Sequence, residues 1–352
     1  MVTKHRRPAT MLDVARLAGT SKATVSNVLH GHQHVRPETR ARVLEAIATL
    51  DYKVNMGARS LARRQSNVLG VLLGDLENPW YATLAAHIER LARVRGYAVL
   101  IASTGGESIR DEGGQIEASR IEHLVEHRVA AIIMIAWSGD RSIAQQVPPG
   151  IPLVFLGTVR APGKTVTIDD PLGAHLAVTH LLELGHKRIA YVNTASAADP
   201  LADDQRLASF HQTLSAAGAA AAGAASVVRL DGPGSDPAAA IDALLTHRRR
   251  PTAIFAASDL TAIDVLDRAD VLGLRIPEDL SLIGFDDISM AQLKRIALTT
   301  IAQPALELST KATEAAIALA TGQPDVPPID IIVPRLVVRG TTGPPHSELP
   351  FP

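Results

Sequence analysis

The chain has no cysteine in 352 residues, which excludes disulfides, thiolate metal sites and cysteine nucleophiles. Aromatic residues make up only 3% against an apolar total of 46%, so Ala, Leu, Val and Ile must build the cores, as in layered α/β proteins. Long apolar runs are missing too. The longest, Val129 to Trp137, is too short to cross a bilayer, and Met1 to Thr10 is basic and polar with no apolar signal segment. A soluble, cytoplasmic chain with no membrane partner is expected. Catalytic signatures are also lacking: there is no P-loop, no G-x-S-x-G elbow and no H-E-x-x-H. His123 and His127 are four apart on a helix and read as solvated residues. No catalytic residue, metal or cofactor is expected.

A net charge of either sign is absent overall, but only by cancellation. Up to Ser66 there are twelve Lys or Arg against four Asp or Glu, a net of +8, and the remainder has 23 against 32, a net of −9. Such asymmetry points to a polyanion-binding module joined to a regulatory or assembly body. At this length two or three compact units are expected.

Residues 10 to 50 read as three short helices. Thr10 with Asp13 fits a capping box, Gly19 suits the left-handed turn that ends the first helix, and Ser21 is a candidate N-cap for the second. Pro37 suits the first turn of a third helix, with Val43, Ile47 and Leu50 facing inward. Helix, four-residue turn, helix and a supporting helix is the helix-turn-helix pattern. Its second helix enters the major groove. The candidate base-reading residues are therefore Ser21, Lys22, Ala23, Thr24, Ser26 and Asn27. Lys22 can donate to guanine, Asn27 can read adenine or hold a phosphate, and Ala23 offers only an apolar contact. Arg6, Arg7, Arg36 and Arg40 are placed as phosphate contacts to double-stranded DNA. A small helical protein-binding domain with a basic face is the competing reading.

After Gln65, candidate strands near 68–73, 98–103, 130–136, 152–156, 188–192, 227–230, 253–256 and 280–283 alternate with helices near 80–95, 116–127, 172–184, 205–217, 237–245 and 259–272. Repeated βα units demand parallel sheets covered on both faces, and their number calls for two lobes. In such sheets ligands bind at the carboxyl ends of the strands. The residues there are Asp75, Asn78, Trp80, Tyr81, Trp137, Ser258, Asp259 and Asp286. Trp80 and Trp137 are read equally as ligand-stacking or core residues.

The stretch Asp13-Val14-Ala15-Arg16-Leu17-Ala18-Gly19-Thr20-Ser21, with Ala23-Thr24-Val25-Ser26-Asn27-Val28-Leu29, resembles the LacI/GalR family of bacterial transcriptional regulators. So do Thr39-Arg40-Ala41-Arg42-Val43 and Leu50-Asp51-Tyr52. The resemblance implies a helix-turn-helix headpiece with a hinge helix, then a two-lobed core of doubly wound parallel sheets like that of periplasmic sugar-binding proteins. It also implies a ligand-responsive homodimeric repressor on a pseudo-palindromic operator, with a sugar or related effector between the lobes. A sugar-handling enzyme, or a regulator needing a co-repressor, using the same cleft is the alternative. Arg206 matches the family's cleft arginine, with Asp286 opposite, a pairing suited to vicinal hydroxyls or a carboxylate. The chain departs from the pattern at Val54 for the usual hinge Pro, Arg36 for a Ser or Thr cap, Gly157 for an Asp and Ser258 for an Asn.

The resemblance places paired hinge helices in the minor groove, with Asn55, Ala58, Leu61 and Ala62 on the contacting segment and Leu61 as the wedge. Gly57 and the short length make this helix marginal without DNA and a dimer mate. The domain plan is then a headpiece over 1–52 and a hinge over 53–66. A first lobe takes 67–165 and 300–325, and a second lobe 166–299 and 326–340. The Pro-rich tail, 341–352, lacks a tetramerising heptad. Leu61→Ala is expected to weaken operator binding about tenfold or more, the scale of a wedge that offsets a few kcal/mol of unstacking. Fluorescence anisotropy on a labelled operator measures this, and unchanged affinity removes the wedge role.

Overall fold

A computed structural model describes residues 9–29, 34–52, 66–105, 115–135, 147–157, 163–193, 200–218, 226–229, 236–323 and 326–346. Arg6, Arg7, the hinge residues Asn55, Ala58, Leu61 and Ala62, Trp137 and the end of the tail (347–352) lie outside the described residues. The chain divides into two compact units, Met1–Ser66 and Asn67–Pro352.

In the first unit, α1 (Met11–Leu17), α2 (Lys22–Leu29) and α3 (Pro37–Thr49) enclose Val14, Val25, Val28, Val43 and Ala46. Thr10 Oγ1 accepts the Asp13 amide at 3.3 Å, and Asp13 accepts the Thr10 amide at 2.9 Å. Both halves of the expected capping box are present. Gly19 leaves the helix at φ +59°, a conformation without steric cost only for glycine. Ser21 Oγ accepts the Thr24 amide at 3.0 Å and starts α2. Arg36 offers α3 no side-chain cap, so Pro37 alone pre-sets its first turn.

The second unit holds two six-stranded sheets. The first comprises β1 (Val68–Leu73), β2 (Ala98–Ser103), β3 (Ala131–Ile135), β4 (Leu153–Leu156), β5 (Lys164–Ile168) and β11 (Ile329–Ile332) in the order β11-β5-β4-β3-β1-β2, every pair parallel. Its helices are α4 (Pro79–Val94), α5 (Gln115–Glu126) and α10 (Ala305–Ala320). Leu69, Val71 and Leu73 pack with Leu84, Ile88 and Leu308, whereas Leu72, Ile132 and Met134 pack with Ile121 and Leu124. Both faces are thus dry, which explains the nearly continuous apolar strands.

The second sheet runs β12-β10-β9-β8-β6-β7. Its strands are β6 (Ile189–Asn193), β7 (Ser226–Arg229), β8 (Ala253–Ala256), β9 (Ser281–Asp286), β10 (Thr299–Ala302) and β12 (Arg335–Val337), the last antiparallel to β10. Here α6 (Asp170–Glu183) packs on α7 (Pro200–Ala216), and α8 (Pro237–Leu245) on α9 (Asp259–Val271). The chain passes between lobes after β5, after β10 and between β11 and β12.

Three boundaries move from those expected. β5 went unread because its Lys-Thr-Val-Thr-Ile run alternates polar with apolar, yet it lies buried between β4 and β11. The first lobe therefore extends through Ile168. β10 belongs to the second sheet, paired with β9. β11, expected in the second lobe, pairs with β5 in the first, Ile329 opposite Thr165. Sheet membership is fixed by a distant partner, and a four-residue apolar run does not encode it.

Replacing Thr10 by Ala removes one half of the capping box. It is expected to cost the headpiece about 1 kcal/mol, read as faster amide hydrogen exchange across residues 11–29, with the exchange of residues 67–346 unchanged.

Candidate functional site

The DNA-facing candidates divide by exposure. Val25 and Val28 turn α2 inward, leaving Ser21, Lys22, Ala23 and Asn27 exposed and Thr24 and Ser26 half-buried. Ser21 and Thr24 bond each other, their hydroxyls 2.9 Å apart, so the cap also occupies part of the expected reading surface. Lys22, Ala23 and Asn27 remain as a free ridge, with Arg36 exposed and Arg40 half-buried at the start of α3.

In the second unit a cavity of about 60 Å³ opens between the lobes at the carboxyl ends of the strands. Asn78, Trp80, Tyr81, Arg206, Ser258 and Asp286 of the expected residues line it. Asp170, Asp203 and Gln303 line it as well and were not anticipated. The space suffices for a few waters.

Arg206 organises the second-lobe wall. Its Nε donates to Asp170 Oδ1 at 2.7 Å and its Nη1 to the Ala257 carbonyl at 2.7 Å, while Cζ lies 3.7 Å from the Phe285 ring centroid. Two N–H groups and one face of the guanidinium are thereby engaged. Gly173 makes room for this stack: a Cβ there would meet the Phe285 ring at 2.9 Å. Asp286 Oδ1 accepts from Gln303 Nε2 at 2.6 Å, and Tyr191 donates its phenolic proton to Asp203.

The turn after β9 is strained, with φ +121° at Asp286 and +60° at Asp287. Such angles persist in non-glycine residues only when surroundings enforce them. Asp259 Oδ2 accepts the Ile288 amide at 2.9 Å, and Arg339 reaches Asp287 at 2.6 Å and the Leu298 carbonyl at 2.7 Å. Gly284 admits Asp259, whose Oδ1 would lie 2.3 Å from a Cβ at that position.

Burial lifts the Asp286 carboxyl well above the ordinary carboxylate range; Arg206 opposes this and Asp259 adds to it. Burial also raises Asp170, against the attraction of Arg206. For Arg206 burial works against the charge, but Asp170 and Asp286 outweigh it and hold its pKa above the usual arginine value.

Two expected ligand residues are corrected. Asp259 is fully buried and does not line the cavity; its oxygens are taken by the Ile288 amide and the Thr300 hydroxyl. Asp75 lies off the cavity and accepts the Glu77 amide at 2.8 Å, closing a local turn. Trp80 and Tyr81 belong to the apolar core and line the cavity as well, with Asn78 capping their helix through the Trp80 amide at 2.9 Å. Ser258 caps α9 through the Thr261 amide at 3.1 Å. The unanticipated acids had weak signals. Asp170 follows a strand that was not read, and Asp203 stands one turn before Arg206 on a helix that begins at Pro200, five residues earlier than its apolar pattern.

A helix-turn-helix headpiece ahead of a two-lobed binding core defines a class, the DNA-binding regulators with a periplasmic-binding-protein-like domain. Residues 10–55 match the model of bacterial regulatory proteins of the lacI family, and residues 178–342 that of a periplasmic binding protein-like domain. The chain is 32% identical to the HTH-type transcriptional regulator GalR of Escherichia coli (strain K12), covering 97% of each protein. It is 30% identical to the catabolite control protein A of Priestia megaterium, over 86% of this chain and 90% of that one. Among solved structures, the lac repressor dimer bound to operator and the anti-inducer ONPF aligns with a TM-score of 0.82 at 28% identity, covering 96% of this chain and all of that one. The complex of the transcriptional regulator CelR with cellobiose aligns at a TM-score of 0.65 and 26% identity, over 95% of this chain and 99% of that one. The chain belongs to the LacI family of bacterial regulatory proteins. It is a DNA-binding transcriptional regulator, and its relatives are regulators rather than enzymes. Among the described residues no helix is long and apolar enough to cross a membrane.

Burial pushes Asp259 up to about 7, against the pull of the Thr300 hydroxyl and the Ile288 amide. An acid raised in this way stabilises the fold most below its ordinary value of 3.8, and that contribution is lost as the pH climbs to about 7. Asp259→Asn keeps an acceptor for Ile288 and does not titrate. It is expected to flatten the decline of Tm across that window; an unchanged slope would show Asp259 ionised throughout.

Proposed function

We propose that the protein is a cytoplasmic, homodimeric repressor that binds a pseudo-palindromic operator and responds to a small polyhydroxylated effector held in the interlobe cleft. The observation that carries the effector site is the partly buried Arg206 with Asp170 and Asp286 on the cleft wall. Asn78, Trp80, Tyr81 and Ser258 complete the ligand surface from both lobes. The relatives support the reading: a ribose operon repressor is 31% identical, and the lac repressor and CelR structures hold an operator with an anti-inducer and a sugar respectively.

On the DNA side, Lys22, Ala23 and Asn27 read base edges while Arg36 and Arg40 hold phosphates. Arg6, Arg7 and the hinge segment at Asn55, Ala58, Leu61 and Ala62 extend this surface. The domain plan becomes a headpiece over 1–52, a hinge over 53–66 and two lobes divided after Ile168, after Ala302 and after Ile332. Effector binding shifts the angle between lobes and thereby biases hinge pairing across the dimer. A coupling of about 1–3 kcal/mol suffices for a switch of roughly 5- to 150-fold.

The test is Arg206→Ala, assayed on an operator selected by the wild-type protein from random duplexes. The variant is expected to bind that operator within about twofold of wild type, because Arg206 lies outside the headpiece. It is expected to lose the change in operator affinity that sugars, polyols or nucleosides produce in wild type. A normal response by the variant moves the effector site elsewhere.

A further inference from the structure

The second lobe has a further cavity at the end opposite the cleft. β9, β8 and β6 are neighbours in that order and run parallel. The segments that lead into them therefore meet at one edge: 186–188 before β6, 248–252 before β8 and 277–280 before β9. Between them lies a hollow of about 500 Å³, within the range of small-molecule sites. The terminal segment closes one side. His186 Nε2 donates to the Gly343 carbonyl at 2.9 Å, and Ser281 Oγ accepts the Gly343 amide at 3.0 Å. Pro345 and His346, which follow, line the hollow.

From residue 67 onward the chain is acidic, with 23 Lys or Arg against 32 Asp or Glu. The hollow inverts that balance: Lys187, Arg188, Arg248 and Arg250 line it against Glu278 and Asp279. Asp279 is already neutralised from outside the lining. Arg275 donates from Nε to its Oδ2 at 2.9 Å and from Nη2 to its Oδ1 at 3.3 Å, which holds the carboxyl below its ordinary range. Among the described residues no carboxylate stands within ion-pair distance of the four cations.

Arg188 and Arg250 are positioned by carbonyls instead. Arg188 Nε donates to the Arg250 carbonyl at 3.1 Å, and Arg250 Nη1 to the Asp279 carbonyl at 3.0 Å. Both Nη groups of Arg188, and Nε with Nη2 of Arg250, stay open as two-pronged donors, the geometry that phosphate oxygens match. Lys187 and Arg248 are exposed, their charged ends unbonded among the described residues. Basic residues here also complement the carbonyl ends of α6, α8 and α9, each worth about half a negative charge. Three such ends, roughly 1.5 charges, do not cancel four cations once Arg275 has taken one of the two acids. No aromatic ring lines the hollow among the described residues. A base or sugar face has nothing to stack on there, so the recognised group is the anion itself.

We propose that this hollow is a second ligand site, separate from the interlobe cleft, that takes a compact anion carrying two or more neighbouring phosphates. The assignment is independent of what the cleft binds.

The test is calorimetric titration of the full chain with pyrophosphate, at low salt and with a chelator present, beside inorganic phosphate, succinate and a hexaglutamate peptide. Pyrophosphate is expected to bind with a dissociation constant below about 1 mM, the range of metabolite sites, and more tightly than the other three. The basic headpiece also attracts polyanions, so variants decide the location. Lys187→Gln and Arg248→Gln are expected to melt like wild type and to weaken pyrophosphate about tenfold each, the scale of one charge-assisted hydrogen bond. Arg36→Gln, in the headpiece, is expected to leave pyrophosphate binding unchanged. Absence of pyrophosphate binding overturns the proposal. So does binding that Arg36→Gln lowers while the two variants in the hollow leave it intact. Phosphate or succinate held as tightly as pyrophosphate overturns the preference for paired phosphates. A peptide that binds more tightly than pyrophosphate overturns the assignment in favour of an acidic protein segment.

Discussion

The guanidinium of Arg206, held between Asp170, the Ala257 carbonyl and the Phe285 ring, is the contact on which the second lobe's cavity wall depends. It joins α7, which carries it, to the start of α6, the end of β8 and the end of β9. Taking such a charge out of water is costly, and an ion pair repays the cost only when its remaining donors are matched. Here a carboxylate and a carbonyl take one N–H each, and an aromatic ring covers one face. Removing the arginine would strand Asp170, itself buried. The wall is therefore a single unit.

Behind it stands a second polar anchor. Asp259 ties the amide of Ile288 to the hydroxyl of Thr300, and so fixes the turn that places Asp286 at unusual backbone angles. Gly284 and Gly173 are the spaces these anchors require, one for a carboxylate and one for a ring. Strain at Asp286 is thus carried by its neighbours, a common arrangement where a side chain must point into a binding site.

Much of this was legible from the chain. The headpiece was readable almost to the residue because its signals are local: a capping box at Thr10 and Asp13, a glycine at the turn and a proline at the start of α3. Most core strands were visible as buried apolar runs. Asn78, Trp80, Tyr81, Arg206, Ser258 and Asp286 line the cavity as anticipated. What could not be read was long-range. β5 has too little apolar character to announce itself, and β11 reveals its sheet only through its partner. With β5 went Asp170, which sits just beyond it. Asp259 was misread because an acid at a strand end looks the same whether it faces a ligand or an internal amide.

Arg339 lies past the last strand, in a stretch that reads as an exit from the fold. Yet its side chain grips both Asp287 and the carbonyl of Leu298, and Gly340 and Thr341 continue along the lobe through Ala297 and Leu282. The terminal segment therefore acts as a keystone for the turn after β9. A chain cut after Val338 keeps every strand and helix of the second unit but loses the clamp that holds Asp286 in place. In this protein a C-terminal nick unlatches the turn that carries Asp286, rather than trimming an idle tail.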